Sequence, residues 1–261
     1  MIEQIVKIVK DASAHMRLEK DSIEEKTGVE NIVTSADLAV QNYLEEKLLS
    51  FLPEADFFGE ENGRQETGRE YRFIVDPIDG TTNFSRGIGE SCISVALAKD
   101  GEVILGVVYN PFKDEMFWAE KGKGAYLNGK PIHVSSTPFE KSLVCTALCQ
   151  YYKEYTECTR DIFMDLFYAC NDFRRFGSCA LELCYLAAGR ADLYFELRVC
   201  PWDHAAATFI LQEAGGFAGT FDGSPLTYTH SIPVVGANTK ENFDRLVACI
   251  GNHLMEIPYE D

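Results

Sequence analysis

Tyr71-Arg72-Phe73-Ile74-Val75 runs directly into Asp76-Pro77-Ile78-Asp79-Gly80-Thr81-Thr82-Asn83-Phe84. A short apolar run closed by Asp-Pro reads as a buried strand. A strand ending in Asp76-Pro77-Ile78-Asp79 carries two carboxylates to the mouth of a sheet, with Pro77 stiffening the backbone between them. Neither is a comfortable core residue, because an unpaired buried carboxylate is very costly. Hard divalent cations take such oxygens and backbone carbonyls, and Mg²⁺ combines few carboxylates with phosphate oxygens and waters. Just downstream, Gly80-Thr81-Thr82 can open a helix or turn whose free N–H groups suit a phosphate. Cations beside an anion-binding turn point to metal-assisted phosphoester chemistry.

Two further segments set acids among turn-formers: Gly59-Glu60-Glu61-Asn62-Gly63, and Trp202-Asp203-His204-Ala205, which opens a helical pattern closed by Gly215-Gly216. Each alone has an ordinary explanation, as a turn, a solvated pair, or an acid placed to suit a helix dipole. Their coincidence with the Asp-Pro-x-Asp strand end is what makes them informative.

Around these segments the chain reads as mixed α and β. An amphipathic helical pattern runs from about Ile2 to Glu25. A second follows Thr34-Ser35, with Val40, Leu44, Leu48 and Leu52 on one stripe, and stops at Pro53. Ser91 to Lys99 and Glu102 to Tyr109 are joined by Asp100-Gly101 as a hairpin. Asp114 to Glu120 continues the meander, and Asn128-Gly129 marks another hairpin. Beyond about residue 140, helical patterns (Thr156 to Ala169, Cys179 to Ala188, Trp202 to Ala214, Lys240 to His253) alternate with short strands (Leu143 to Thr146, Ala191 to Glu196, Val234 to Ala237). The segment from Gly124 to Lys130 fits a phosphate-binding P-loop until Pro131 replaces the required Ser or Thr, and it turns a hairpin rather than opening a helix.

The 261 residues carry 24 basic and 41 acidic side chains, a formal net charge of −17. That balance disfavours a nucleic-acid groove or an anionic membrane surface as partner. The N-terminus has no signal-peptide pattern, and no apolar run is long enough for a membrane span. Nine scattered cysteines, none in Cys-x-x-Cys, suggest reduced thiols in a cytoplasmic protein rather than a zinc ribbon or a disulfide framework.

With these motifs in place, the chain resembles the inositol monophosphatase family, the Mg²⁺-dependent, Li⁺-sensitive phosphatases related to fructose-1,6-bisphosphatase. The resemblance extends from Asn31-Ile32-Val33-Thr34-Ser35-Ala36-Asp37 to the C-terminal helix. It rests most firmly on Asp76 to Phe84, with Trp202-Asp203 and Glu213-Ala214-Gly215-Gly216 following in order. It implies an α+β fold in α-β-α-β-α layers, one catalytic domain of two αβ halves (about 1–140 and 141–261) with the metal site between them, and a homodimer. It implies two to three Mg²⁺: Glu60, Asp76 and the Ile78 carbonyl for the first, Asp76, Asp79 and Asp203 for the second, and a weaker third near Glu60. Thr81 oriented by Asp37 resembles the family's water-activating pair, Glu61 stands behind the ligands, and the Gly80 and Thr81 N–H groups receive the phosphate. Glu196, seven residues before Asp203, takes the position that bonds sugar or cyclitol hydroxyls. A carboxylate there suits a neutral polyol and repels a second phosphate, which favours inositol monophosphate or a similar polyol phosphate as substrate.

The pattern also has departures. Cys179 replaces the small residue usual after Gly-Ser and stands near the expected polyol cleft. Glu90 replaces an aromatic or His, and the segment from Cys149 to Tyr155 matches nothing in the pattern. His204 and the other histidines read as structural, and Arg174-Arg175 as a surface pair. Histidinol phosphate, fructose 1,6-bisphosphate and nucleotide 3′-phosphates remain alternative substrates, and a regulatory binding protein that keeps the scaffold remains an alternative class.

Overall fold

The N-terminal amphipathic pattern closes sooner than its periodicity suggests. The computed structural model describes residues 1–17, 23–25, 32–61, 63–64, 68–148 and 152–253. Helix α1 covers Ile2–Ala12 and ends in one 3₁₀ turn, Ser13–His15. The Ser13 hydroxyl donates to the Lys10 carbonyl at 2.7 Å and takes up one of the carbonyls a helix end leaves free. Instead of continuing the helix, Ile23–Glu25 forms strand β1, antiparallel to β2, Ile32–Thr34. The expected helix to Glu25 is therefore corrected to one ending at Ala12.

The remaining elements follow in order. They are α2 (Ser35–Phe51), β3 (Ala55–Gly59), β4 (Gly63–Arg64), β5 (Tyr71–Asp79), the short helix α3 (Thr81–Ser85), β6 (Cys92–Lys99), β7 (Glu102–Asn110), β8 (Glu115–Glu120), β9 (Ala125–Leu127) and β10 (Lys130–Ile132). Then come β11 (Leu143–Thr146), α4 (Thr156–Ala169), β12 (Asp172–Arg174), α5 (Cys179–Ala187), β13 (Leu193–Val199), α6 (Pro201–Glu213), β14 (Phe217–Gly219), β15 (Ile232–Ala237) and α7 (Lys240–Gly251). The hairpins at Asp100-Gly101 and Asn128-Gly129 form as the turn residues require. Asp100 and Asn128 adopt positive φ, and each is followed by a positive-φ glycine. Strands β3, β12 and β14 had no clear sequence signal: they are short, and pairing with a neighbour defines them.

An eight-stranded sheet has the order β10-β9-β8-β7-β6-β5-β3-β4, and a five-stranded sheet the order β12-β11-β13-β15-β14. Three buried clusters define the layers. Ile5, Val9, Val40, Leu44 and Leu48 of α1 and α2 pack on Ile93, Val95 and Leu97 of the first sheet. Leu181, Cys184, Ala206 and Ile210 of α5 and α6 fill the space between the sheets, meeting Ala96 on one side and Tyr194 on the other. Ile162, Leu166, Leu246 and Ile250 of α4 and α7 cover the far face of the second sheet against Phe195 and Val235. This is the expected α+β fold in α-β-α-β-α layers. Strands covered on both faces read as continuous apolar runs, which is why β6 and β7 lack alternation.

Helix α6 lies close on the first sheet at Gly106 of β7. A Cβ built there would stand 2.6 Å from the Ala206 carbonyl oxygen, so only glycine admits this approach. The contact sets the depth at which the N-terminus of α6, carrying Asp203, meets the end of β5.

Candidate active site

Strand β5 carries a bulge at Asp76-Pro77-Ile78-Asp79. Asp76 stands opposite Ser94 and Asp79 opposite Cys92, so three steps on β5 match two on β6. Without the extra residue, side chains three apart would point to opposite faces. With it, both acids share the face that meets α5 and α6: the Ser94 hydroxyl donates to the Trp202 carbonyl at 3.2 Å, and the Cys92 thiol lies 3.8 Å from Asp79 Oδ2. Pro77, which has no N–H to give the ladder, suits the bulge. The Ile78 N–H donates to Asp76 Oδ1 at 2.9 Å.

The other acids arrive on element ends. Glu60 follows β3, and its N–H extends the parallel ladder to the Val75 carbonyl at 3.1 Å. The Glu61 N–H donates to the Gln41 carboxamide oxygen at 2.9 Å. Asp37 and Asp203 are both the third residue of their helices. Asp37 Oδ2 accepts from the Thr34 N–H at 2.8 Å and the Thr34 hydroxyl at 2.5 Å, and Asp203 Oδ2 accepts from the Cys200 N–H at 3.1 Å. Each acid thus satisfies its own helix start and turns towards the same region. The Thr81 hydroxyl lies 3.0 Å from the Ile78 carbonyl and 3.3 Å from Asp37 Oδ1. Gly80, at φ +86°, precedes α3, and an added Cβ would meet the Glu90 carbonyl at 2.8 Å.

Electrostatics binds these residues into one site. Burial, followed by the charges of Glu60, Asp79, Asp203 and Asp37, pushes Asp76 well above the usual carboxylate range. Burial also drives Asp203 well up, reinforced by Asp79, Glu60 and Glu196. Asp79 is raised by burial to about 6, restrained by hydrogen bonds from Ser178 and the Ala180 N–H. Asp76 is only 2% exposed and Asp79 8%, and among the described residues neither of them, nor Asp203, forms an ion pair with Lys or Arg. Buried acids that raise one another, all with oxygen donors, call for a hard cation. The donor set fits Mg²⁺. Among the described residues no group of three or more Asp, Glu, His or Cys side chains is placed to hold a metal ion as it stands.

On the side expected to take the substrate, Cys179 begins α5 and Glu196 lies on β13. The fully buried Tyr194 hydroxyl joins them, 3.1 Å from Cys179 Sγ and 2.5 Å from Glu196 Oε2. Burial raises Glu196 to about 7, while Tyr194 and Arg175 hold it down, so Arg175 acts electrostatically on this pocket besides being exposed. Arg174 pairs with Asp172, as a surface residue does. Glu90 is committed to Lys113 and to the Tyr185 hydroxyl at 2.8 Å, which leaves it tied into the wall of its loop. His204 is wholly buried and held down to about 3 by desolvation, a structural histidine as expected. Residues 149–151 lie outside the described residues. Of the rest of that segment, Tyr152 and Tyr155 pack together, with the Arg198 guanidinium 4.2 Å above the Tyr152 ring.

Several residues of this site escaped sequence reasoning. Ser178 and the Ala180 N–H fix Asp79 at 2.6 and 2.7 Å. Asn83 Nδ2 donates to the carbonyls of Phe176 and Glu90 at 2.6 and 2.8 Å, while Glu182 Oε1 accepts from the N–H groups of Phe176 and Gly177 at 2.5 and 3.0 Å. Gln41 and Tyr194 did leave a signal. Gln41 stands four residues after Asp37, on one helix face, and Tyr194 two before Glu196, on one strand face.

The chain matches known proteins along most of its length. A profile described as "Inositol monophosphatase family" matches residues 2–254. The chain belongs to the inositol monophosphatase family. It is 38% identical over 201 residues (77% of this chain, 76% of the other) to a fructose-1,6-bisphosphatase/inositol-1-monophosphatase of Aquifex aeolicus. It is 35% identical over 206 residues (78% and 77%) to the Nus factor SuhB of Escherichia coli. The solved structure of a Thermotoga maritima IMPase superposes with a TM-score of 0.86 at 30% identity, covering 96% of each chain. Membership in the inositol monophosphatase family places the protein among phosphatases that act on small phosphate monoesters, and among the described residues no helix is long and apolar enough to cross a membrane.

Proposed function

We propose that the protein is a Mg²⁺-dependent phosphomonoesterase that hydrolyses inositol monophosphate or a similar polyol phosphate, the two αβ halves holding the site between them. The observation that carries this reading is the bulge at Asp76–Asp79. It turns two buried acids towards Asp203, with Glu196 close enough to act on Asp203.

Glu60, Asp76 and the Ile78 carbonyl would hold one ion, and Asp76, Asp79 and Asp203 a second, with a weaker third near Glu60. When bound, Mg²⁺ lowers the pKa of a water and stabilises charge on the attacking and leaving oxygens of an in-line displacement. The chain's own residues orient the attack. The Thr81 hydroxyl has one hydrogen and two acceptors in reach, the Ile78 carbonyl at 3.0 Å and Asp37 Oδ1 at 3.3 Å; were the carbonyl to hold an ion, Asp37 would be the remaining acceptor. Thr81 then presents its lone pairs to the attacking water. The N–H groups of Gly80 and Thr81 face the phosphoryl oxygens, and Glu61, held at its N–H by Gln41, keeps Glu60 in place. Glu196 accepts from substrate hydroxyls, and Cys179 lines the same pocket. The test is kcat/KM for inositol 1-phosphate, histidinol phosphate, fructose 1,6-bisphosphate and a nucleotide 3′-phosphate. Inositol 1-phosphate is expected to rank first, and a low rank for it overturns the substrate assignment.

A second reading has the name of the SuhB relative, a Nus factor, in its favour: a regulatory protein on the same scaffold. Retention of Glu60, Asp76, Asp79, Thr81 and Asp203 favours catalysis. A D79N variant that keeps a cellular role after losing phosphatase activity would support the regulatory reading.

A further inference from the structure

The phosphate end and the polyol end of this site are mechanically joined. Asp79 is held by Ser178 and by the Ala180 N–H at the start of α5. Between those two residues lies Cys179, whose sulfur is 3.1 Å from the Tyr194 hydroxyl, and that hydroxyl is 2.5 Å from Glu196 Oε2. Tyr194 is fully buried on β13, a strand flanked on both sides by β11 and β15, so its ring has no freedom to drift.

The phenol has one hydrogen for two neighbours. The contact to Glu196 has the length of a charge-assisted O–H···O⁻ bond, so the hydrogen goes to the carboxylate. The Cys179 sulfur, 3.1 Å away, is the hydroxyl's other acceptor, so the phenol hydrogen is shared and lies mainly towards the carboxylate. One Glu196 oxygen is thereby occupied and its plane set, leaving the other to accept from a substrate hydroxyl. Cys179, an oddity in the sequence, becomes the joint between the Asp79 anchor and Glu196.

We propose that Tyr194 is a positioning residue that sets selectivity for polyol phosphates, pinning Glu196 in register with Asp79 through Cys179. This rests on the reading of the enzyme as a polyol phosphatase and goes beyond it by assigning where that selectivity is built. A phosphate ester without hydroxyl groups makes no use of Glu196, whereas a polyol phosphate needs it at a fixed distance from the phosphate.

The experiment compares kcat and KM for inositol 1-phosphate and 4-nitrophenyl phosphate, at saturating Mg²⁺, in the unaltered enzyme, Y194F, C179A and C179S. Loss of one buried hydrogen bond to a charged group corresponds to about a ten-fold effect or somewhat more. Y194F is expected to lower the inositol-to-nitrophenyl ratio of kcat/KM about ten-fold, with the change in KM for the inositol ester rather than in kcat. C179A shifts the ratio the same way by a smaller factor, and C179S, which keeps an acceptor for the Tyr194 hydroxyl, retains more of it than C179A. Equal losses on both substrates, or an unchanged ratio, in a Y194F protein that melts cooperatively overturn the proposal. If Y194F does not fold, an unchanged ratio in C179A overturns it instead. An unaltered enzyme that shows no preference for the inositol ester overturns the polyol reading itself, and this inference with it.

Discussion

The Ser178 hydroxyl donates to the Asp79 carboxylate at 2.6 Å, joining the start of α5 to the bulged end of β5 across 99 residues of sequence. This bond holds an acid that burial alone would drive further towards its neutral form. Residues that orient metal-binding carboxylates typically contribute 10- to 100-fold in metal affinity or activity. S178A should therefore raise the Mg²⁺ concentration for half-maximal rate by about ten-fold or more. It should also lower the melting temperature slightly, because Ser178 accepts from the Leu181 N–H as the N-cap of α5. An unchanged Mg²⁺ requirement would remove Ser178 from this role.

Asp79→Asn separates catalysis from folding. The amide keeps the shape and removes a buried negative charge from a cluster of like charges. Activity should fall to background, while the melting temperature in EDTA equals or exceeds that of the unaltered protein. Retained phosphatase activity would refute the assignment of Asp79.

Metal dependence follows from the same cluster. Activity should vanish in EDTA, return with Mg²⁺ and fall in millimolar Li⁺, and Mg²⁺ should raise the melting temperature by relieving repulsion among buried acids. Full activity in EDTA would exclude the mechanism.

Stability without metal should fall as pH rises from 6.5 to 8. Burial raises Glu182 from 4.5 to about 8, only partly offset by the N–H groups of Gly177 and Phe176. A folded-state pKa above the unfolded value means that the folded protein holds the extra proton. Stability from this group is full below the unfolded pKa and is lost as pH passes through 8, a change on the order of 1–2 kcal/mol over this interval. His204, lowered to about 3 by burial, acts in the opposite sense, but only below its unfolded value of 6.5. Urea denaturation at several pH values should show the decline, and E182Q should remove Glu182's share of it, leaving the part that Glu196 and the other raised acids contribute in the same direction.

Gly106→Ala places a methyl group against the backbone of α6, 2.6 Å from the Ala206 carbonyl oxygen. Overpacking of this kind costs about 1–3 kcal/mol. Because α6 carries Asp203, the variant should also need more Mg²⁺ for half-maximal activity, measurable in one titration.

Much of this was legible locally. The mixed α and β character follows from where helical and strand patterns fall, the five layers came from the family resemblance, and helices such as Thr156–Ala169 match their patterns because an apolar stripe is a local signal. Helix α1 misled because amphipathic spacing continues past Ala12, where β1 pairs with β2, a partner no periodicity reveals. The acids of the site were visible because each stands in a short motif of its own. Ser178, Asn83 and Glu182 were not, because each acts on a residue distant in sequence or on a backbone group without a pattern of its own.

By itself, then, the sequence determined most of the element types, the acidic motif with its proline, and the inventory of oxygen donors, all of which depend on residues a few positions apart. Only the tertiary structure decided that Asp76 and Asp79 share a face, since a bulge appears only against its partner strand. Likewise, only packing brought α5 and α6 between two sheets, and so tied Asp79 to Ser178 and Cys179 to Tyr194. Hydrogen bonds of that kind depend on distances in space, which chain spacing does not encode.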